Sequence, residues 1–214
     1  DDVIGITVTF SEVINVVTTN GTPRLTLETG TNDAVVNYTS GTGTNTLTFN
    51  YTVASGHTSS DLDYVATSSL ALNSGTIKDG AGNNATLTLA SPSATNSLSA
   101  NKALIVDAVV PTVTNVTSSK DDGYGKIGDV IPINIVFNEL VNVNTSSGVP
   151  QLTLETGNTD VTISYTSGTG TNTLTFNYTV AAGNISTDLD YVASNSFTFN
   201  NSTILDVANN SANL

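Results

Sequence analysis

The chain contains no cysteine and no tryptophan, and its 214 residues include a single histidine and only five basic side chains. The absence of cysteine excludes disulfides and thiolate chemistry, so stability must come from hydrophobic cores, from metal ions or from both. No run approaches the roughly 18 apolar residues of a membrane-spanning helix, and no signal peptide opens the sequence. We therefore expect any targeting signal to lie outside this sequence.

The shortage of basic residues leaves a large negative charge. Eighteen acidic residues against five basic ones give a net charge of -13. This charge disfavours nucleic acid as a partner and disfavours direct insertion into an anionic membrane. Cations are the partners that the composition favours.

A long internal repeat dominates what is present. Residues 2–87 match residues 129–214 without a gap at an offset of about 127, with roughly 52 of 86 positions identical. Residues 38–54 recur unchanged as residues 165–181. Because a catalytic pocket is rarely repeated serially along a chain, this duplication favours a spacer or a scaffold.

The repeat has the pattern of β-structure. Apolar residues alternate in residues 4–10 and again in 131–137, which predicts half-buried strands. Further predicted strands in the first copy are residues 25–28, 34–38, 46–53, 70–72, 86–89 and 103–106, separated by turn-forming residues. The glycine-containing block 40–45 predicts a tight hairpin rather than a phosphate loop, since no lysine follows it and no helix begins. The predicted fold class is all-β, with two tandem β-sandwich domains.

The domain boundary is predicted between Asp107 and Pro111. Domain 1–107 then lacks a first strand and domain 108–214 lacks a last strand, while the short proline-containing joint predicts a stiff connection. Two explanations of the missing edge strands stay open. Either neighbouring residues supply them, or subunits of a fibre exchange strands.

Few residues could perform catalysis. The single histidine, His57, is replaced by Asn184 in the second copy. Asp61 and Asp63 could form a glycosidase-like pair of carboxylates, but no aromatic sugar platform accompanies them. We therefore predict that the chain is not an enzyme.

The carboxylates are better suited to calcium, which prefers oxygen ligands on loops. If the strands alternate in direction, the residues predicted to converge on the joint between the domains are Asp61, Asp63, Asp107, Glu139 and Asp206. Glu12 and Asp79, with Asn83, would serve an equivalent joint to a preceding repeat, and Asp188 and Asp190, with Asp121 and Asp122, a joint to a following one. The open alternative is that these carboxylates are simply solvated.

Several motifs resemble a known class of repeats. They are Phe10-Ser11-Glu12 and its counterpart Phe137-Asn138-Glu139, together with segments 25–30, 61–64, 77–83, 99–107 and 111–113. The chain resembles the repeats of very large bacterial surface proteins, including those named after a cyanobacterial swimming-motility protein, and the wider bacterial Ig-like and cadherin-like adhesin modules. The resemblance implies Ig-like Greek-key sandwiches with calcium at their junctions, and it implies Glu139, Asp206 and Asp107 as ligands.

These observations predict a structural extender or filament repeat of a bacterial cell-surface or secreted adhesin-like protein, stiffened by Ca²⁺ at its joints. The expected partners are adjacent repeats and other copies in a filament or surface layer. One alternative is a self-assembling extracellular fibre subunit that exchanges strands. Another is a carbohydrate-binding or ice-binding adhesin module, the latter built on outward threonines such as Thr7, Thr9, Thr46 and Thr48.

Overall fold

The protein forms two compact units in a computed structural model that describes residues 2–214. Unit 1 ends at Val109, and unit 2 comprises residues 110–214. Within the described residues the single helix is the four-residue α1 (Leu98–Asn101), and no helix is long and apolar enough to cross a membrane. The all-β prediction is confirmed.

Between residues 2 and 109, unit 1 contains eight strands. They are β1 (Val3–Val17), β2 (Arg24–Leu27), β3 (Ala34–Ser40), β4 (Thr44–Thr52), β5 (Thr58–Ser59), β6 (Leu70–Ala71), β7 (Thr76–Asp79) and β8 (Val106–Asp107). Six of them form one sheet in the order β6-β2-β3-β4-β1-β7, and β5 pairs with β8 in a separate two-stranded sheet.

Unit 2 repeats this arrangement. Its strands are β9 (Val113–Ser118), β10 (Val130–Asn144), β11 (Gln151–Leu154), β12 (Val161–Ser167), β13 (Thr171–Thr179), β14 (Phe197–Thr198) and β15 (Thr203–Leu205). The order β14-β11-β12-β13-β10-β15 matches that of unit 1 strand for strand, and β9 adds to β10.

The alternating pattern builds the two cores. In β4 the side chains of Leu47, Phe49 and Tyr51 are buried, and the polar residues between them point outward. The equivalent strand β13 buries Leu174, Phe176 and Tyr178. Each core also collects buried side chains from the other main strands of its unit, which gives each unit its β-sandwich character.

A break in the longest strand of each unit determines where the acidic residues lie. Residues 3–9 of β1 pair with β4, the register then shifts between Thr9 and Ile14, and residues 14–17 pair with β7. The strand β10 has the same shift between Val136 and Val141. Irregularities of this kind bend a strand and redirect side chains. Glu12 and Glu139 lie within these two breaks.

Two strand predictions need correction. Residues 86–89, predicted as a strand, are irregular, although Leu87 and Leu89 pack against the core of unit 1. Of the strand predicted at 103–106, only Val106 lies in a strand, the two-residue β8, which pairs with β5 and not with the main sheet. In both places the backbone bonds to separate loops, such as Leu89 N–H to Thr67 O and Leu62 N–H to Leu104 O, so a continuous ladder does not form.

Candidate metal-binding carboxylates

Unit 2 brings two of the predicted ligands together. The carboxylates of Glu139, in the break of β10, and Asp206, directly after β15, each have an oxygen within 4.8 Å of the other. Asp206 is 1 % exposed, and Glu139 is half-buried. Carboxylate oxygens this close together could hold one metal ion between them.

A short loop fixes the carboxylate of Asp206. Asn210 donates to it twice, from its backbone N–H at 2.8 Å and from its side-chain Nδ2 at 2.7 Å. In return, the Asp206 N–H donates to the carbonyl of Asn210 at 3.1 Å. The loop therefore holds the acidic side chain in one orientation before any ligand binds.

Unit 1 contains the same loop at Asp79. Its carboxylate accepts from the N–H of Asn83 at 2.8 Å and from the Asn83 Nδ2 at 2.7 Å. The two loops differ in sequence, but both have a positive φ at the equivalent position, 71° at Asn209 and 91° at Gly82. Asparagine is one of the few residues that tolerate this conformation. The substitution thus preserves the loop geometry.

Hydrogen bonding keeps Asp79 ionised. The side chain and then the backbone of Asn83 stabilise its charged form and lower the pKa of Asp79 below its ordinary value. Its predicted companion Glu12 is exposed, in contrast to the half-buried Glu139.

Asp107 ends the short strand β8. It pairs with Thr58 across the β5–β8 ribbon, it is half-buried, and its Oδ1 accepts from the N–H of Val109 at 3.2 Å. The chain then continues into unit 2.

Asp63 makes a different set of contacts from those expected of a metal ligand. It is 6 % exposed and accepts from the Ser99 hydroxyl at 2.7 Å and from the N–H groups of Tyr64 at 2.9 Å, Ser93 at 3.0 Å and Leu98 at 3.3 Å. Its neighbour Asp61 accepts from the N–H of Leu104 at 3.4 Å. Both carboxylates therefore organise the segment that follows residue 90 within unit 1.

The remaining predicted ligands are spread over the surface. Asp188 and Asp190 are exposed, and Asp190 accepts from the N–H of Tyr191 at 2.8 Å. Across residues 2–214, no group of three or more potential metal-ligating side chains includes Glu12, Asp61, Asp63, Asp79, Asp188 or Asp190.

The histidine has a structural partner. Nδ1 of His57 accepts from the Ala54 N–H at 3.3 Å and lies 2.9 Å from the Tyr51 hydroxyl. In unit 2, Oδ1 of Asn184 takes the same two positions, at 2.9 Å from the Ala181 N–H and 3.0 Å from the Tyr178 hydroxyl. His57 therefore accepts a backbone hydrogen bond within a turn. Its replacement by asparagine in the second copy is the signal in the sequence that could have indicated this role.

The threonines proposed for ice binding are paired in unit 1. Thr7 lies opposite Thr48 and Thr9 opposite Thr46 across β1 and β4. The counterparts of Thr7 and Thr9 in unit 2 are Asn134 and Val136, so the row is not repeated. A regular threonine row in both units would favour ice binding, and the replacement of these threonines in unit 2 does not favour it.

Comparisons with protein-family models, with curated proteins and with solved structures give no match to this chain.

Proposed function

We propose that the chain is a structural repeat of a bacterial cell-surface or secreted adhesin-like protein, serving as an extender and not as an enzyme. The observation that carries this proposal is the duplication itself. Both units have the same order of main strands, and both place a glutamate in the strand break and an Asp-to-Asn clamp after the last main strand. Serial repetition of a complete sandwich lengthens a chain, whereas it adds nothing to a single catalytic pocket.

We further propose that Ca²⁺ binds at Glu139 and Asp206. The fit rests on the chemistry of the donors, since both are carboxylates, one is buried, and their oxygens lie within 4.8 Å. Hard oxygen donors of this kind suit calcium, which takes six to eight such ligands. Asn210 holds the Asp206 carboxylate in place, and the remaining ligands of such an ion would be carbonyl oxygens and water.

Asp107 is proposed as a third ligand. Both the N–H and the carbonyl of Thr112 bond to Asn138, the residue before Glu139, at 2.6 and 3.0 Å. Only four residues separate Asp107 from Thr112, so the segment that connects this carboxylate to unit 2 is short. A cation held by residues before and after the connecting segment would restrict that segment and stiffen the chain, because it binds the ordered arrangement preferentially.

Calcium titration tests the proposal. Thermal unfolding and small-angle scattering should be followed for the native chain, for Glu139→Gln and for Asp107→Asn, with and without about 1 mM Ca²⁺, a concentration suited to extracellular sites. Calcium should raise the melting temperature and reduce the conformational spread of the native chain, and each variant should lose most of this response. Asp160→Asn, which changes an exposed carboxylate of unit 2, is the matched control and should respond like the native chain. Unchanged melting and scattering of the native chain would refute calcium stiffening.

A further inference from the structure

Unit 2 has an open groove along one edge of its core. The groove has a volume of about 860 Å³ and is lined by β9, by the loop 120–125 and by residues 184–191, with side chains of β10, β11 and β13 among its walls. Three of its large side chains are well exposed: Tyr124, which is fully exposed, Ile185 at 73 % and Tyr191 at 40 %. Exposed apolar side chains grouped along a groove are typical of a binding site.

The corresponding face of unit 1 is covered by a segment of the chain itself. Residues 88–108 cross it, Leu98 and Leu104 pack against the core, and Val106 is 3 % exposed. Beneath this segment Leu62 and Tyr64 are 0 % and 6 % exposed. Their counterparts in unit 2 are the half-buried Leu189 and the exposed Tyr191. Unit 1 thus shows what chemistry this face accepts.

The receiving backbone is already in place in unit 2. The Ile185 N–H donates to Thr156 O at 2.9 Å, as the Thr58 N–H donates to Thr29 O at 3.0 Å in unit 1. The bridge between Leu154 and Tyr191 repeats the bridge between Leu27 and Tyr64. Residues 185–186 nevertheless form no strand, whereas their counterparts form β5 by pairing with β8. The edge is therefore preorganised to accept a strand.

The polar groups of the face are complementary to the same segment. In unit 1 the N–H groups of Ser93 and Leu98 and the hydroxyl of Ser99 all donate to the buried carboxylate of Asp63. Its counterpart in unit 2, Asp190, accepts from the N–H of Tyr191 and is exposed. A serine-rich turn presenting three donors would therefore find its acceptor in the groove.

The charge of the groove is compatible with the same occupant. Four carboxylates line the groove, those of Asp121, Asp122, Asp188 and Asp190, with Lys120 as the basic residue. Residues 88–108 contain one basic residue, Lys102, and one acidic residue, Asp107. A segment without net charge is not repelled by the groove, whereas an acidic peptide would be.

We propose that this groove binds a segment with the chemistry of residues 88–108, supplied by a further repeat of the same sequence type. The segment places a serine-rich turn on Asp190 and runs antiparallel to residues 185–186, with two apolar side chains spaced as Leu104 and Val106 are. Main-chain hydrogen bonds supply affinity and the alternating side chains supply specificity, as in other cases of strand addition. The proposal requires no metal and stands whether or not calcium binds at Glu139 and Asp206.

Extension of the chain gives the deciding experiment. The repeat offset places Leu214 at the position of Leu87, so a copy of residues 88–108 added after Leu214 continues in register. The added segment should slow hydrogen exchange of the amides in residues 184–191 by about tenfold or more and raise the melting temperature, because it pairs the edge and covers the apolar face. An extension with the same residues in scrambled order is the control. Equal exchange rates in the two extended chains would overturn the proposal.

A labelled peptide with the sequence of residues 88–108 tests recognition of the separate segment by the full chain. Fluorescence anisotropy should show saturable binding, weakened about tenfold or more by Ile185→Asp in unit 2, since hot-spot apolar contacts carry most of such affinity. The matched variant Thr58→Asp, at the occupied face of unit 1, should bind like the native chain. Equal binding by both variants would contradict the assignment to unit 2. A concentration-dependent dimer that protects the same groove would instead identify a second copy as the occupant and would overturn the proposed source.

Discussion

The carboxylate of Asp63 accepts a hydrogen bond of 2.7 Å from the hydroxyl of Ser99, 36 residues further along the chain. Ser99 lies in α1, and the same carboxylate accepts from Ser93 and Leu98 around it. A single buried acid thus closes the irregular segment onto unit 1. The sequence alone predicts this aspartate as a metal ligand. Its hydrogen-bond donors could not be predicted, because they lie in a distant segment with no regular pattern.

Replacing this acid should loosen the segment. Asp63→Asn removes the charge and one acceptor while leaving neighbouring donors buried, and we expect a loss of about 1–3 kcal/mol in the free energy of unfolding of unit 1. The equivalent change Asp190→Asn is the control, because that carboxylate is exposed and should cost about 0.5 kcal/mol or less. Denaturant unfolding measures both variants. Equal destabilisation by the two changes would contradict the role given to Asp63.

Acidification should act through the same residue. Burial raises the pKa of Asp63, but hydrogen bonds from Ser93, Ser99, Tyr64 and Ser97 outweigh burial and hold it below its ordinary value. A carboxyl whose pKa is lower in the folded state stabilises the fold above its unfolded pKa, and this stabilisation is lost as pH falls through the folded pKa. We therefore expect the protection of the amides in residues 88–101, measured relative to the intrinsic exchange rate at each pH, to decrease as the pH falls below about 4, the ordinary range for aspartate.

The variant Asp63→Asn provides the control for this pH response. Its segment should be less protected than that of the native chain at neutral pH, and its protection should change less on acidification. A native segment that stays equally protected down to about pH 2 would show that the ionised carboxylate is not what holds it.

The alternating strands were predictable because each follows one simple period. The alternation around Leu47 and Phe49 predicts the strand β4 and its buried face, and the duplication predicts the equivalent strand of unit 2. The strand β7 and its pairing with the end of β1 were not predicted, since they depend on a register break that leaves no local signal. Distance along the chain also separates the two buried or clamped acids. Asp79 bonds to Asn83 within one loop, and both copies of the repeat contain this Asp and Asn pair. The long-range partners of Asp63 lie 30 or more residues away and have no such local signal.

The hairpin between β3 and β4 should distinguish two glycines. Gly41 has a φ of 116°, and an added Cβ would lie 2.0 Å from Thr46 O, whereas Gly43 has a φ of 79° with no atom within 4 Å of an added Cβ. Gly43→Ala should lower stability only by the cost of a left-handed backbone at a residue with a Cβ, about 1–2 kcal/mol. Gly41→Ala must also displace backbone, so we expect a larger loss of stability, beyond about 3 kcal/mol. Thermal unfolding of both variants measures the difference, and equal costs would contradict the close approach of Gly41 to β4.

His57 offers a test of interchangeable roles in the two units. Because Asn184 accepts the same two hydrogen bonds in unit 2, His57→Asn should change the free energy of unfolding by less than about 0.5 kcal/mol. His57→Ala removes the acceptor of the Ala54 N–H and the partner of the partly buried Tyr51 hydroxyl, and should cost about 1–3 kcal/mol. Asn184→Ala should match that cost in unit 2. If His57→Asn were as harmful as His57→Ala, the ring itself, which stacks on Tyr51 at 5.7 Å, would be the stabilising group instead of its acceptor nitrogen.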